Sequence, residues 1–440
     1  MESTYNYLKI AYQELKFETK QNPSFLLLLF VLISIPLSYA LNGIMIGLFA
    51  VITIISFKKL NFRIENNLVF PVILYFLMLL SITWSGDINA TLKGLSKTLP
   101  LLVIPICFMA LPRFSNLQKQ KIISYYSYGM FFFVIYCISK ATIRYLITGD
   151  NSVFFYHELV TEDLNAIHVS IYAAIAFFYF YTKPIKSISD RIIALIMAIF
   201  IFLLSSKNII VVFISLVLFY QIVFSRKEQN RKWITISLFL FASLTVLFSG
   251  KIRDRFSIEF QSNKMEGSVN SDFGNDNSTH IISINQAWTQ KTFQPNDYFP
   301  GTAFRVYQIR IFKEMLQEDP IFFSGYGLNA TDFKIEEKGK EHKVFSGDAT
   351  HDGYQKKNFH NQYIQFFAEI GIFGLLLLLV MVFLNLKNAI ITKDFVRISF
   401  AVLMISLFLT ESFLSRQRGI VFFTTIYCLF NTRITQKNLE

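Results

Sequence analysis

Apolar residues run almost unbroken through most of this chain, and short polar clusters separate one run from the next. Runs of membrane length fall at Ser24–Ala40, Leu41–Phe57, Leu68–Trp84, Leu95–Leu111, Ile122–Ile147, Ile167–Tyr181, Ile192–Leu204, Ile209–Phe224, Trp233–Phe248, Tyr363–Leu386, Ile398–Phe413 and Gly419–Phe430. Apolarity over such lengths predicts membrane-spanning helices, about 12 in all. One interruption differs in kind. Residues Gly250 to Phe359 form a hydrophilic block of about 110 residues, which ends in Phe359-His360-Asn361-Gln362-Tyr363 and runs straight into another span. A loop of that length inside a compact fold usually carries chemistry or binding.

The stretch from Ile192 to Phe224 is long for one helix and short for two, and its flanks decide the matter. Lys183, Lys186 and Arg191 precede it, and Arg226, Lys227, Arg231 and Lys232 follow it. Lys and Arg concentrate on the cytoplasmic side of membrane proteins, so the run goes out and returns, with Ser205-Ser206-Lys207-Asn208 as the tip of a hairpin. Lys58, Lys59 and Arg63 mark another inner loop, as do Arg113, Lys119 and Lys121, and again Lys387, Lys393 and Arg397. The connection Thr148–Ala166 has no Lys or Arg but holds Asp150, Glu158, Glu162 and Asp163, which marks it as outer. The alternation predicts a cytoplasmic tail at 1–23, nine spans in 24–249, a large outer loop at 250–359, three spans in 360–431 and a cytoplasmic tail at 432–440. The fold class is then an all-α polytopic membrane protein with one large extracytoplasmic loop containing short helices. In a bacterium the loop would lie on the periplasmic face of the inner membrane.

Composition agrees: 53% of residues are hydrophobic, 16% are charged and 49 are Phe. The net charge of +12 sits in topology-setting clusters, which argues against nucleic-acid binding. Cys107, Cys137 and Cys428 all lie in apolar runs, so neither a disulfide framework nor a cysteine zinc site is expected. The polar first 23 residues lack the pattern of a cleavable signal peptide. Internal repeats of the kind that build many transporters are not evident.

Several basic residues fall on the outer side against the general trend: Lys93, Lys97, Arg144, Lys207, Arg305, Arg310, Arg416 and Arg418. Together they suggest a pocket for an anionic, membrane-borne ligand such as a lipid-linked pyrophosphate. Arg305–Glu318 reads as an amphipathic helix opened by Arg305, with Val306, Ile309, Phe312, Lys313 and Leu316 on one side, and Pro320 ends it. Gly325-Tyr326-Gly327 reads as a tight turn. His360, at the junction of loop and span, has the chemistry to take a proton from a hydroxyl without a metal. His342, His351 and Asp352 match no usual metal-ligand spacing, and His157, His168 and His280 have no distinguishing context. Two carboxylates, Glu369 and Glu411, sit in apolar runs, where a partner or a function is required; Arg416 and Arg418 are the nearest cations to Glu411. No nucleotide-binding glycine motif is present, so an energised donor at the outer face would have to arrive on a lipid.

The segment Arg305 to Gly374 resembles the O-antigen ligase and Wzy polymerase family of bacterial membrane glycosyltransferases. The resemblance rests on an Arg-led helix, Pro320, Gly325-x-Gly327, a variable loop, His360-Asn361-x-Tyr363 and Ala368-Glu369-Ile370-Gly371-Ile372-x-Gly374. The tip Leu203-Leu204-Ser205-Ser206-Lys207 is similar to the family's Ser-Arg motif, and Glu411 through Gly419 is similar to a pattern in some members. This resemblance implies a GT-C-like fold and inverting, metal-independent transfer from an undecaprenyl-pyrophosphate-linked glycan to a lipid A-core or other glycan acceptor, with no cofactor. His360 would act as base. Arg305 would bind pyrophosphate and join His360 in catalysis, with Lys207, Arg416 and Arg418 as further pyrophosphate ligands. Asn361, Glu369, Glu411, Gly325 and Gly327 would support them. Lys207 stands where the family has arginine, which keeps the charge and loses the bidentate fork. Polymerase activity on a second lipid-linked repeat, or transfer to protein, stays open within the resemblance. A lipid-linked sugar flippase and a non-catalytic assembly partner are the readings outside it.

Overall fold

A computed structural model describes residues 2–56, 62–161, 163–225, 280–348 and 353–433, with a few single positions between 226 and 279. All but three residues of the expected span Trp233–Phe248, the basic residues Lys58, Lys59, Arg226, Lys227, Arg231 and Lys232, and His351 with Asp352 lie outside the described residues.

The fold is all-α. Among the described residues, six helices are long and apolar enough to cross a membrane: Tyr39–Ser56, Asn66–Thr83, Ile88–Ala110, Asn116–Thr148, Lys207–Phe224 and Gln362–Thr392. Ser24–Ser34, Ala166–Thr182 and Phe395–Phe408 are shorter apolar helices. Ile188–Leu203 and Gln417–Asn431 complete the bundle. Two helices form its centre. Ala166–Thr182 and Gln417–Asn431 are buried on nearly every face, as helices apolar all round must be. The first packs on Asn116–Thr148, Ile188–Leu203 and Phe395–Phe408. Ring contacts such as Tyr172 with Phe422, 4.6 Å between centroids, join the two. Residues 1–23 fold mostly into a helix, Glu2–Gln21, which Lys121 ties down through Glu14 and Glu18, each at 2.6 Å.

The described part of the hydrophilic block, from His280 onward, folds around a second, separate core of Phe293, Phe299, Phe304, Tyr307, Ile311 and Met315. Its elements are a two-residue parallel strand pair, His280–Ile281 with Asp297–Tyr298, and the helices Ile284–Thr289, Gly301–Glu318 and Asp332–Glu341. Two sequence expectations are corrected here. The helix begins at Gly301, not Arg305, because Pro300 holds the entry geometry and Arg305 falls in its second turn. Its buried side is Ala303, Phe304, Tyr307, Gln308, Ile311, Phe312 and Met315, while Ile309 is exposed. The large rings Phe304 and Tyr307 set which stripe faces inward, and the apolar pattern alone had suggested a neighbouring phase.

One joint locks the two cores together. The Gln362–Thr392 helix is broken at Ile370 and Gly371, the latter at φ 69°. The strand of chain Phe322–Gly327 fills the break. Tyr326 N–H donates to Ala368 O (2.9 Å), Gly327 N–H to Glu369 O (2.8 Å), and Ile372 N–H to Phe322 O (2.8 Å). The backbone groups freed by the kink are thus paired, which matters because an unpaired one in a low-dielectric setting costs several kcal/mol. A Cβ at Gly325 would run into the Glu369 backbone, and one at Gly371 into that of Phe323. Close backbone approach, together with positive φ, is therefore what both glycines provide.

Candidate functional site

Three chain segments, distant in sequence, meet above the bundle. The first is the second turn of Gly301–Glu318, bearing Arg305. Its Nη1 donates to Gly301 O (2.9 Å), and Nε and Nη2 both donate to Thr410 O (2.9 and 2.8 Å). The second segment carries His360, immediately before the Gln362–Thr392 helix. Asn361 caps that helix, its Oδ1 accepting from the N–H groups of Tyr363 and Ile364. His360 itself sits at φ 47°, an uncommon backbone state for a side chain of this size, and its N–H donates to Asn358 Oδ1 (3.1 Å). The third segment follows the end of Phe395–Phe408, where Glu411 N–H donates back to Leu407 O.

Glu411 is the hub. Its Oε2 lies 3.5 Å from His360 Nδ1, and its Oε1 lies 3.6 Å from Arg305 Nη2. The partners of Glu411 are therefore Arg305 and His360, not the sequence-adjacent Arg416 and Arg418. Glu411 also stands outside the helix, which ends at Phe408, five residues short of the expected end of the span. Burial alone would push its carboxyl up. The hydrogen bond and charge of His360, with Arg305 and the nearby His168, outweigh burial and hold it below its ordinary 4.5. With Nδ1 turned toward a carboxylate, Nε2 is the imidazole's basic nitrogen. The ring is 30% exposed and its edge packs on Phe304.

A polar stripe on the Gln362–Thr392 helix stands behind this cluster. Gln362 Oε1 accepts from Leu414 N–H (2.6 Å), and Gln365 Oε1 accepts from Ser412 Oγ (3.2 Å). Gln365 Nε2 donates to Glu369 Oε1 (2.7 Å). These bonds fix the 411–415 turn against the helix. Beside it opens a cavity of about 420 Å³, lined among others by Lys97, Asp332, Lys356, Asn358, Gln365 and Arg416. Burial raises the Asp332 carboxyl, with Lys97 opposing and Asp87 adding to the shift.

The structure brings most of the sequence-derived site residues together, and separates others. Asn208, next to Lys207 at the hairpin tip, binds Thr410 Oγ1 (2.7 Å) and Ser406 O (2.9 Å), so the tip reaches the residue whose carbonyl holds Arg305. Arg416 is exposed and lines the cavity. Arg418 is buried, donates to Asp163 O (2.8 Å) and stacks 3.8 Å from the Tyr39 ring centroid, so it pins the 148–166 connection. Arg144 pairs with Glu158, and Arg310 with Glu314. Glu369 is 2% exposed and lies one turn beyond Gln365. Among the described residues no group of three or more His, Cys, Asp or Glu side chains is arranged to hold a metal. Sequence reading passed over His168, Gln362 and Gln365. The amides had a signal: polar residues at 362, 365 and 369 form one helical stripe in an apolar run. His168 had none, because its neighbour Glu411 is far off in sequence.

Residues 192–379 match the family model described as O-antigen ligase. The chain carries an O-antigen ligase domain. The matched stretch contains Lys207, Arg305, Gly325, Gly327, His360, Asn361 and Glu369, whereas Glu411, Arg416 and Arg418 fall beyond its end. No curated protein matches the chain. The match supports O-antigen ligase or polymerase-type function with lipid-linked glycans as the general class of substrate, and the apolar helices make this a membrane-embedded protein.

Proposed function

We propose that the chain is an inverting, metal-independent glycosyltransferase of the inner membrane whose active site faces the periplasm. It moves a glycan from an undecaprenyl-pyrophosphate donor to an acceptor hydroxyl, on lipid A-core or a similar sugar. The meeting of Arg305, His360 and Glu411 beside a cation-lined cavity carries this reading. The acceptor oxygen attacks the anomeric carbon as the bond to pyrophosphate breaks. The acceptor proton passes to His360 Nε2, and undecaprenyl pyrophosphate departs. Glu411 holds the ring in the tautomer that accepts at Nε2 and stabilises the imidazolium that forms. Arg305, Lys207 and Arg416 neutralise charge on the leaving pyrophosphate. The acceptor of a polymerase, another lipid-linked repeat, would use the same chemistry.

The orientation is supported by the ends of two helices of the bundle. Phe395–Phe408 and Ala166–Thr182 each have the His360 cluster at one end, and Lys183 and Lys393 lie at the other. The test is surface glycan in a deletion strain complemented with wild type, His360→Ala or Arg305→Ala at matched membrane levels. The proposal expects loss of surface glycan with donor accumulating on the outer leaflet. Normal glycan in both variants would sink the catalytic assignment, and donor held on the inner leaflet would indicate a flippase.

A further inference from the structure

A second cavity, of about 1010 Å³, lies at the far end of the bundle from His360. The Phe395–Phe408 helix measures the separation: Phe395 and Val396 line this cavity, while the residues after Phe408 carry Glu411. Fourteen residues at 1.5 Å each place the two sites roughly 20 Å apart.

Its lining joins two chemistries. Aromatic rings of Tyr179, Tyr220 and Phe224 form part of the wall. Lys121, Lys183, Lys186, Arg191 and Lys393 surround them, and Asp394 is the one carboxylate among the lining residues described. Some of this charge is already answered. Asp190 holds Lys183 at 2.6 Å, Glu14 and Glu18 hold Lys121, and Asp394 caps the next helix and faces Arg397. Arg191 and Lys393 are exposed at the rim and add positive charge beyond those pairs.

Two further features point to an occupant. Gln221 lines the cavity at 2% exposure and donates through Nε2 to Tyr181, yet its buried Oε1 has no hydrogen-bond partner among the described residues. A buried amide oxygen left unpaired is costly and calls for a donor. Gln221 also belongs to a single π-helical turn, Tyr220–Phe224, a local geometry that recurs at functional sites.

We propose that this cavity is a binding site for one anionic glycerophospholipid. The phosphodiester lies against the rim cations, a headgroup hydroxyl donates to Gln221 Oε1, and the upper acyl carbons pack on the aromatic wall. Membrane lipid is favoured over a free phosphate because the walls are aromatic and the cations stand at helix ends, where headgroups lie. The site is independent of glycan transfer.

The test uses the full chain, stripped of lipid in detergent. It is titrated with phosphatidylglycerol, phosphatidic acid, phosphatidylethanolamine or glycerol 3-phosphate, and adducts are counted by native mass spectrometry. One phosphatidylglycerol is expected to bind in preference to phosphatidylethanolamine. Removing both rim cations, Arg191→Ala with Lys393→Ala, should weaken it about 25-fold, at roughly five-fold per charge. Gln221→Leu should erase the preference for phosphatidylglycerol over phosphatidic acid, which lacks the hydroxyl. Lys291→Ala, on an exposed lysine of the hydrophilic block, should change nothing. Equal binding of the two phospholipids, indifference to the double substitution, or competition by glycerol 3-phosphate at the same concentration would overturn the proposal. The rim substitutions are on exposed side chains, so the test survives if Gln221→Leu fails to fold.

Discussion

Among the described residues, Arg, His and Glu come together twice, and the two trios are built to different ends. In the loop core, Glu314 meets Arg310 Nε at 2.9 Å and His342 Nε2 at 3.2 Å, while His342 Nδ1 meets the Tyr307 hydroxyl at 3.2 Å. Both ring nitrogens are engaged and the histidine is 5% exposed. Above the bundle, Glu411 meets Arg305 and His360 at 3.6 and 3.5 Å, through Nδ1 of the imidazole, and the ring is 30% exposed. In the first trio both ring nitrogens have partners, the Arg310 guanidinium at Nε2 and the Tyr307 hydroxyl at Nδ1, and the cluster fastens helices of the loop. The second, looser trio leaves one basic nitrogen turned away from its carboxylate. Residue types alone do not separate a structural clasp from a candidate site; the state of the second ring nitrogen does.

The largest effect that would sharpen this contrast is on Glu411. Glu411→Ala removes the group that orients His360, and transfer should fall by about 100-fold or more, measured as kcat with lipid-linked donor at saturating acceptor. Glu314→Ala should instead lower the unfolding temperature and leave kcat per folded molecule within a few-fold of wild type.

A second prediction concerns the joint between the cores. Gly325→Ala meets both a positive φ and the Glu369 backbone, so it should cost about 3 kcal/mol or more, read as a lowered denaturation midpoint. Gly149 has the same sign of φ with nothing within 4 Å, and Gly149→Ala should cost only about 1 kcal/mol. Equal costs would mean that the kink does not depend on close approach.

Arg305→Lys comes next. Lysine keeps the charge and loses the fork that grips Thr410 and Gly301 together, so kcat/KM should fall about ten-fold. Arg310→Lys should leave activity unchanged.

The smallest effect is on pH. Burial, reinforced by Arg310, holds His342 below its ordinary 6.5 against the pull of Glu314. A depressed folded value means that the unfolded chain takes up protons first as pH falls. The loop core's stability is then complete above about 6.5 and is lost progressively below it. Thermal melts from pH 7.5 to 5.0 should show that slope, and His342→Gln should flatten it.

The sequence made the bundle legible because membrane spans announce themselves by length and apolarity. Asn116–Thr148 and the 188–224 hairpin lie where apolar runs and charged flanks put them. His360, Arg305 and the glycine pairs were legible through their resemblance to a family. What could not be read was contact across distance. Glu411 lies 106 residues beyond Arg305 and 51 beyond His360, so nothing local named them as partners, and the nearer Arg416 and Arg418 drew attention instead. The phase of Gly301–Glu318 was misjudged for a related reason. Its inward face is chosen by Phe293, Phe299 and Tyr354, which pack on it from elsewhere in the loop.

If His360 does chemistry where His342 does not, one experiment that sets them side by side will show it. Transfer from a lipid-linked glycan is measured with purified His360→Ala and His342→Ala, each normalised to folded protein by size-exclusion profile. His360→Ala is expected to lose about 100-fold or more in kcat with an unchanged unfolding temperature, whereas His342→Ala keeps its kcat and unfolds at lower temperature. Retained kcat in His360→Ala, or an equal loss in His342→Ala, would contradict it.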